Sequence, residues 1–249
     1  MLRLVILFLF IAVNSCTTTP PATQSPTMYA GLGDMYAQAN HFAEAENYYA
    51  KAHILEPNKV DISFKLADTQ IQQDKFDRAT ETYQQVLSAN PENHKARYRL
   101  ARVQMLRGEL VAALSQYQLL LKVNKQDPQA LNGLGVLLDN LSQFSFAKSC
   151  YQHGLMHAAK DYALLNNLGV SYALSGNLVQ AKLLLDQSGN QAVTSRPKDN
   201  LILINYYFAK IKDPTERQHL LKKSLLLKNV SSTQDLVNHA IFAAKQWCA

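Results

Sequence analysis

Cys150, His153 and His157 come nearest to a reaction centre, because at i, i+3 and i+7 of one helical face a thiolate and two imidazoles are ligand types for zinc. Two considerations weigh against a metal. One helix rarely aims three ligands at the corners of a tetrahedron, and no acidic side chain stands beside them to act as base. The plainer reading places Cys150 half-buried beside Tyr151 and both histidines on a solvated convex face. A Cys150–Cys248 disulfide is permitted in an oxidising compartment, but the two cysteines lie about three sequence repeats apart, which disfavours it. No phosphate-cradling Gly loop, His-Glu-x-x-His, nucleophile elbow or Cys-x-x-Cys occurs anywhere in the chain. The chain therefore reads as non-enzymatic, without metal, cofactor or small-molecule substrate.

The elements that must position any side chain here are repeated ones. Leu32-Gly33, Tyr36, Ala45, Tyr49, Ala52 and Pro57 return one period later as Leu66-Ala67, Ala79, Tyr83 and Pro91. They return again as Leu100-Ala101, Ala113, Tyr117 and Leu120, as Leu134-Gly135, Ala147 and Tyr151, and as Leu168-Gly169, Tyr172 and Ala181. The constant step from Gly33 to Ala67, Ala101, Gly135 and Gly169, and the order of residue types within it, resemble the tetratricopeptide repeat (TPR). Five units, 26–59, 60–93, 94–127, 128–161 and 162–195, tile the chain without insertion. The resemblance implies an all-α fold, a right-handed superhelix of TPR helix pairs. Gly or Ala at the helix crossing permits close approach, and the tyrosines are expected to wedge against the next unit, so that no unit completes its core alone. Residues 196–249 read as a degenerate sixth unit, in which Thr215 and His219 replace the small and aromatic positions, followed by a capping helix from Thr233 to Trp247 that covers the last repeat.

In such superhelices the first helix of each pair lines a concave groove. Its inward positions carry Lys65, then Lys95, Tyr98, Arg99, Arg102 and Met105, then Asn132, Asn140, Asn166 and Asn167. Basic groups followed by amides suit an extended peptide: Lys and Arg hold a carboxylate, and Asn bonds backbone N–H and C=O alike. These residues are the candidate partner-binding groove, against the alternative of a merely solvated concave face. A second candidate surface is the basic final segment with Lys210, Lys212, Arg217, Lys222, Lys223 and Lys228.

Composition narrows the classes. With 249 residues, 47% of them apolar and 18% charged, the chain can bury a sizeable core, and nine Gly and eight Pro exclude a collagen-like chain. Three Cys are too few for a disulfide scaffold. The net charge of +6 is uneven: the five units are neutral, and the segment 196–249 carries +5. That is not the spread of cations along one face, interleaved with aromatics, that nucleic acid requires.

Met1-Leu2-Arg3, the apolar run Leu4 to Val13 and Asn14-Ser15-Cys16 have the layout of a secretion signal, residues 1–15, and the run is shorter than the roughly 20 residues of a spanning helix. Val13-Asn14-Ser15-Cys16 resembles the lipobox of bacterial lipoproteins, which implies lipidation of Cys16; Asn14 departs from the small or apolar residue usual there. Thr17 to Thr27 has no charge and little apolar surface, so residues 16–27 read as a flexible tether from the lipid. Thr17 after the cysteine resembles the outer-membrane sorting pattern.

The run Ala130-Leu131-Asn132-Gly133-Leu134-Gly135 with Asp139, and Asn166-Asn167-Leu168-Gly169-Val170-Ser171-Tyr172-Ala173-Leu174-Ser175-Gly176, resembles the TadD family of TPR lipoproteins. The likeness extends over the lipobox, the repeat count and the Asn200-Leu201 segment. It implies a lipid-anchored outer-membrane protein of the tight-adherence apparatus that assembles Flp pili, facing the periplasm and acting as a pilotin-like factor on the secretin. The alternative is another TPR outer-membrane lipoprotein, a type IV pilus pilotin or a β-barrel assembly component. Both make the partners proteins, not nucleic acid.

Overall fold

The computed structural model describes residues 25–190, 196–210, 212–225 and 233–248. Among them are thirteen helices and no strand: α1 Pro26–Gln38, α2 Phe42–Leu55, α3 Val60–Gln72, α4 Phe76–Ala89, α5 His94–Leu106, α6 Leu110–Val123, α7 Pro128–Asn140, α8 Phe144–His157, α9 Tyr162–Leu174, α10 Leu178–Gly189, α11 Arg196–Lys210, α12 Pro214–Leu225 and α13 Gln234–Trp247. The first helices of successive pairs begin at Pro26, Val60, His94, Pro128, Tyr162 and Arg196, one constant step apart. The signal segment 1–15, Cys16 and most of the tether lie outside the described residues. No described helix is long and apolar enough to cross a membrane.

Local chemistry sets the helix ends. Ser25, Asn93, Asp127, Asp161 and Asn177 cap helices by accepting from free N–H groups of the first turn, and Pro26 and Pro128 occupy positions where a missing N–H costs nothing. Within five pairs the chain turns through a left-handed residue at the same point: Asn40, Asp74, Gly108, Ser142 and Gly176, with φ between 56° and 92°. At each, the following N–H donates back to a carbonyl five residues earlier, as His41 does to Tyr36 and Asn177 to Tyr172.

Helices within a pair meet over small residues. Ala45, Ala79, Ala113, Ala147 and Ala181 are fully buried. A Cβ on Gly33 would stand 2.5 Å from the Tyr49 ring, and one on Gly135 would stand 2.4 Å from the Tyr151 ring. Tyr49 and Tyr151 thus fill the space over their own unit's glycine, and Tyr117 fills that over Gly133 of the next unit. The same rings also pack forward: Tyr49 shares a buried cluster with Leu66, Tyr83 with Ala96 and Leu100, and Tyr151 with Leu164 and Leu168 of the following units.

The final helix, α13, forms where the apolar pattern places it, with Thr233 as its cap. Its seat differs from the expected one. Instead of covering the last pair, it packs on α6, α7 and α8, where Leu236, Ala240, Ala243, Ala244 and Trp247 join the core that includes Leu121, Leu131 and Cys150. A covalent bond also holds it there: Cys248 is disulfide-bonded to Cys150 across 98 residues, with their Cα atoms 4.4 Å apart.

Candidate functional site

That disulfide overturns the sequence reading of Cys150 as a half-buried free thiol. Cys150 is fully buried and bonded to sulfur, so it supplies no thiolate to a metal. His153 is half-buried and not solvated; its Nδ1 lies 2.8 Å from the Trp247 carbonyl oxygen, tying α8 to α13, and His157 is exposed. Among the described residues no three His, Cys, Asp or Glu side chains are grouped to hold a metal ion.

The first helices of the pairs line a concave groove of about 1040 Å³ running from α5 to α11. It brings together Lys95, Tyr98, Arg99, Arg102, Asn132, Asn140, Asn166 and Asn167, with Met105 at its edge. Lys65 lies outside it, one unit earlier, and its ammonium is bonded to both carboxylate oxygens of Asp34, at 2.7 and 2.8 Å. Tyr49 donates to the same carboxylate at 2.7 Å. Burial works against ionising Asp34, yet Lys65 and Tyr49 outweigh it and hold the carboxyl below its ordinary value. One period on, Arg99 bonds Asp68, which also accepts from Tyr83 at 2.9 Å. Burial opposes the Arg99 charge, and the Asp68 carboxylate more than compensates, leaving its pKa raised. Lys65 and Arg99 therefore staple adjacent first helices together, a pairing visible in sequence only as an acid and a base that both recur at the repeat period.

Lys95 and Arg102 are different. Both are exposed, and among the described residues neither has an acidic partner. Lys95 Nζ lies 4.8 Å from the Phe64 ring centre and the Arg102 guanidinium 6.0 Å from that of Tyr98, contacts that hold the stems against the wall and leave the charges in place. Tyr98, half-buried and tilted against Tyr117 at 6.4 Å, has its hydroxyl pKa raised by burial.

The asparagines form a chain. Asn200 on α11 donates to Asn166, Asn166 to Asn167, and Asn167 to Asn132 on α7, each over 2.9 Å. Asn140 turns back, donating to the Val136 carbonyl at 2.7 Å within its own helix. Asn200 was not among the sequence candidates; it lies one repeat period after Asn166, and that spacing is the signal that finds it.

Beneath the groove sits Asp139, 3% exposed. Burial raises its pKa to about 7, although Ser171 at 2.7 Å and Tyr151 at 2.8 Å donate to its oxygens and Lys148 also favours the charge. Of the basic final segment, the side chains of Lys210, Lys222 and Lys223, and Lys228 as a whole, lie outside the described residues; Lys212 is exposed and Arg217 donates to its carbonyl.

The tetratricopeptide repeat family profile matches residues 36–85 and 70–137. Among solved structures, the chain is similar to a TPR protein from Parabacteroides merdae, at 16% identity and a TM-score of 0.63, with 91% of this chain and 87% of that one covered. It is also similar to a thermophilic TPR protein of Thermus thermophilus, at 16% identity and a TM-score of 0.63, over 73% of this chain and all of that one. The APC/C hetero-tetramer Cut9–Hcn1 matches at 22% identity and a TM-score of 0.63, over 88% of this chain and 43% of that one. No curated protein matches. The class that fold and groove define is an all-α solenoid of repeated helix pairs, TPR-like in its fold and similar to the tetratricopeptide repeat over residues 36–137.

Proposed function

We propose that this protein is a lipid-anchored scaffold of the outer membrane, facing the periplasm, that binds protein partners during assembly of Flp pili, with a pilotin-like role toward the secretin. The observation that carries it is the concave groove, in which Lys95 and Arg102 remain without acidic partners while Lys65 and Arg99 on the same face are paired. Cations left open on a concave wall suit an acidic ligand. Two features support export and anchoring. The Cys150–Cys248 disulfide suits an oxidising compartment. Cys16 stands where a lipobox cysteine would, and several acyl chains, each buried methylene adding roughly 0.8 kcal/mol, hold a soluble domain at a bilayer. The resemblance to TadD supplies the pilus assignment.

The deciding experiment is in-cell cross-linking of the intact protein followed by identification of what co-purifies, beside a deletion strain scored for piliation. Capture of a secretin, with surface pili lost while pilin is still made, is the expected result. Normal piliation in the deletion strain would remove the role, and capture of β-barrel insertion machinery would replace it with the alternative.

A further inference from the structure

We infer that the groove holds an extended acidic peptide in one direction only, its carboxyl-terminal acidic end over Lys95 and Arg102 on α5 and its amino end toward Asn200 on α11. This rests on the reading of the groove as the partner's seat.

The direction comes from two independent features. First, Lys65 and Arg99 on the concave face are committed to Asp34 and Asp68, so uncompensated positive charge collects at one place, on α5. Lys95 and Arg102 are seven residues apart on that helix, roughly 10 Å along its axis, so both stand on the same side and reinforce each other. Two acids line that part of the groove, Asp127, which caps α7 by accepting from Gln129 and Ala130, and Asp139, buried under Tyr151 and Ser171; neither bonds Lys95 or Arg102, so both cations stay open to a ligand.

Second, the amide chain is polar. Every link donates the same way, from Asn200 through Asn166 and Asn167 to Asn132. An asparagine has two N–H donors and one carbonyl acceptor, so at the α7 end Asn132 keeps its whole amino group to offer, and at the α11 end Asn200 keeps its oxygen. Hydrogen-bonded amides aligned head to tail polarise one another, and the chain behaves as a small dipole, donor-rich toward α5 and acceptor-rich at α11. The unpaired cations sit beyond the donor end. A carboxylate is favoured there twice over, and a peptide N–H or amino group is favoured at Asn200. Between the ends Val136 and Val170 line the wall and accept apolar side chains.

The test uses the full chain purified in detergent and two octapeptides with acetylated and amidated ends. Both have the same neutral body; one carries two glutamates at its carboxyl end, the other at its amino end. In competition against a fluorescent copy of the first, read by anisotropy at low salt where charge is least screened, the carboxyl-end acid binds about tenfold more tightly than its isomer. Arg102→Glu lowers that affinity about tenfold and reduces the difference between isomers, with the melting temperature unchanged to show an intact fold. Equal binding of the two isomers overturns the direction, and affinity unmoved by Arg102→Glu overturns the site. In cells, an Arg102→Glu protein that still captures its partner shows that the groove is not the seat, which sinks this inference and leaves the scaffold role standing. If the unaltered protein captures no pilus component, the scaffold role fails whichever way the peptides bind.

Discussion

Cys248 and Cys150 are joined by a disulfide that carries the last described helix back over the chain to the fourth pair, so that α13 closes on α6–α8 and not on the solenoid's end. The bond closes a loop of 98 residues, and a cross-link over that span restricts the unfolded chain far more than the folded one. Replacing both cysteines, Cys150→Ser with Cys248→Ser, is expected to lower stability by about 2 to 5 kcal/mol in urea denaturation. Hydrogen exchange in α13 should quicken before that in α3. An unchanged midpoint would mean that packing of Leu236, Ala240 and Trp247 alone secures the helix.

Asp139 makes stability depend on pH. Its carboxyl is held protonated by burial up to about pH 7 in the folded state, against an ordinary value of 3.8. Between those values the native state binds a proton that the unfolded chain has lost, so stability falls as pH rises from about 4 through 7 and is level above. Asp139→Asn keeps an oxygen for Ser171 or Tyr151 and cannot ionise. It should flatten that fall and raise the melting temperature at pH 8 relative to the parent. An equal pH slope in parent and variant would show that other groups set it.

Much of this architecture is legible in sequence because it is periodic. Gly33, Ala79, Tyr83 and Gly176 recur at fixed offsets, and a residue that must be small, flat or left-handed in one unit must be so in the next. Pairing across units is harder to read. Asp34 with Lys65 and Asp68 with Arg99 pair across units, and each partner taken singly looks like an exposed charge available to a ligand; only the joint spacing of acid and base gives the staple away. The seat of α13 was illegible for a different reason, since a helix leaving the period carries no sequence record of where it returns. Burial likewise concealed Asp139: a carboxylate in a helix is ordinarily solvated, and its two hydroxyl donors come from Tyr151, 12 residues on, and Ser171, 32 residues on.

Ala79 tests the register of the repeat. It is fully buried where α3 and α4 cross, and the added bulk of leucine has nowhere to go. Ala79→Leu is expected to destabilise by about 1 to 3 kcal/mol, measured as a lower thermal midpoint. A midpoint equal to the parent's would place the helix crossing elsewhere.

Cys16 tests the anchor. Because it precedes the packed body, which begins at Pro26, Cys16→Ser should move the protein from the membrane to the soluble fraction without changing its helical circular dichroism. Retention in the membrane pellet after alkaline wash would assign anchoring to another feature.

Arg99 and Arg102 are three residues apart on one helix and should behave oppositely. Arg99 bonds Asp68 beneath the Tyr83 hydroxyl, so Arg99→Ala leaves a carboxylate without its cation and should cost up to about 1 kcal/mol, kept small because both partners are partly exposed. Arg102 touches no acid among the described residues, so Arg102→Ala should change stability by less than about 0.5 kcal/mol. Acidic-peptide affinity should show the reverse order, falling severalfold for Arg102→Ala and little for Arg99→Ala, because charge already neutralised within the fold attracts a ligand weakly. Thermal melts and anisotropy titrations on the same two preparations decide it. Equal losses of peptide affinity from both variants would mean that Arg99 leaves Asp68 to reach the ligand, and the ion pairs between units would then belong to the binding surface.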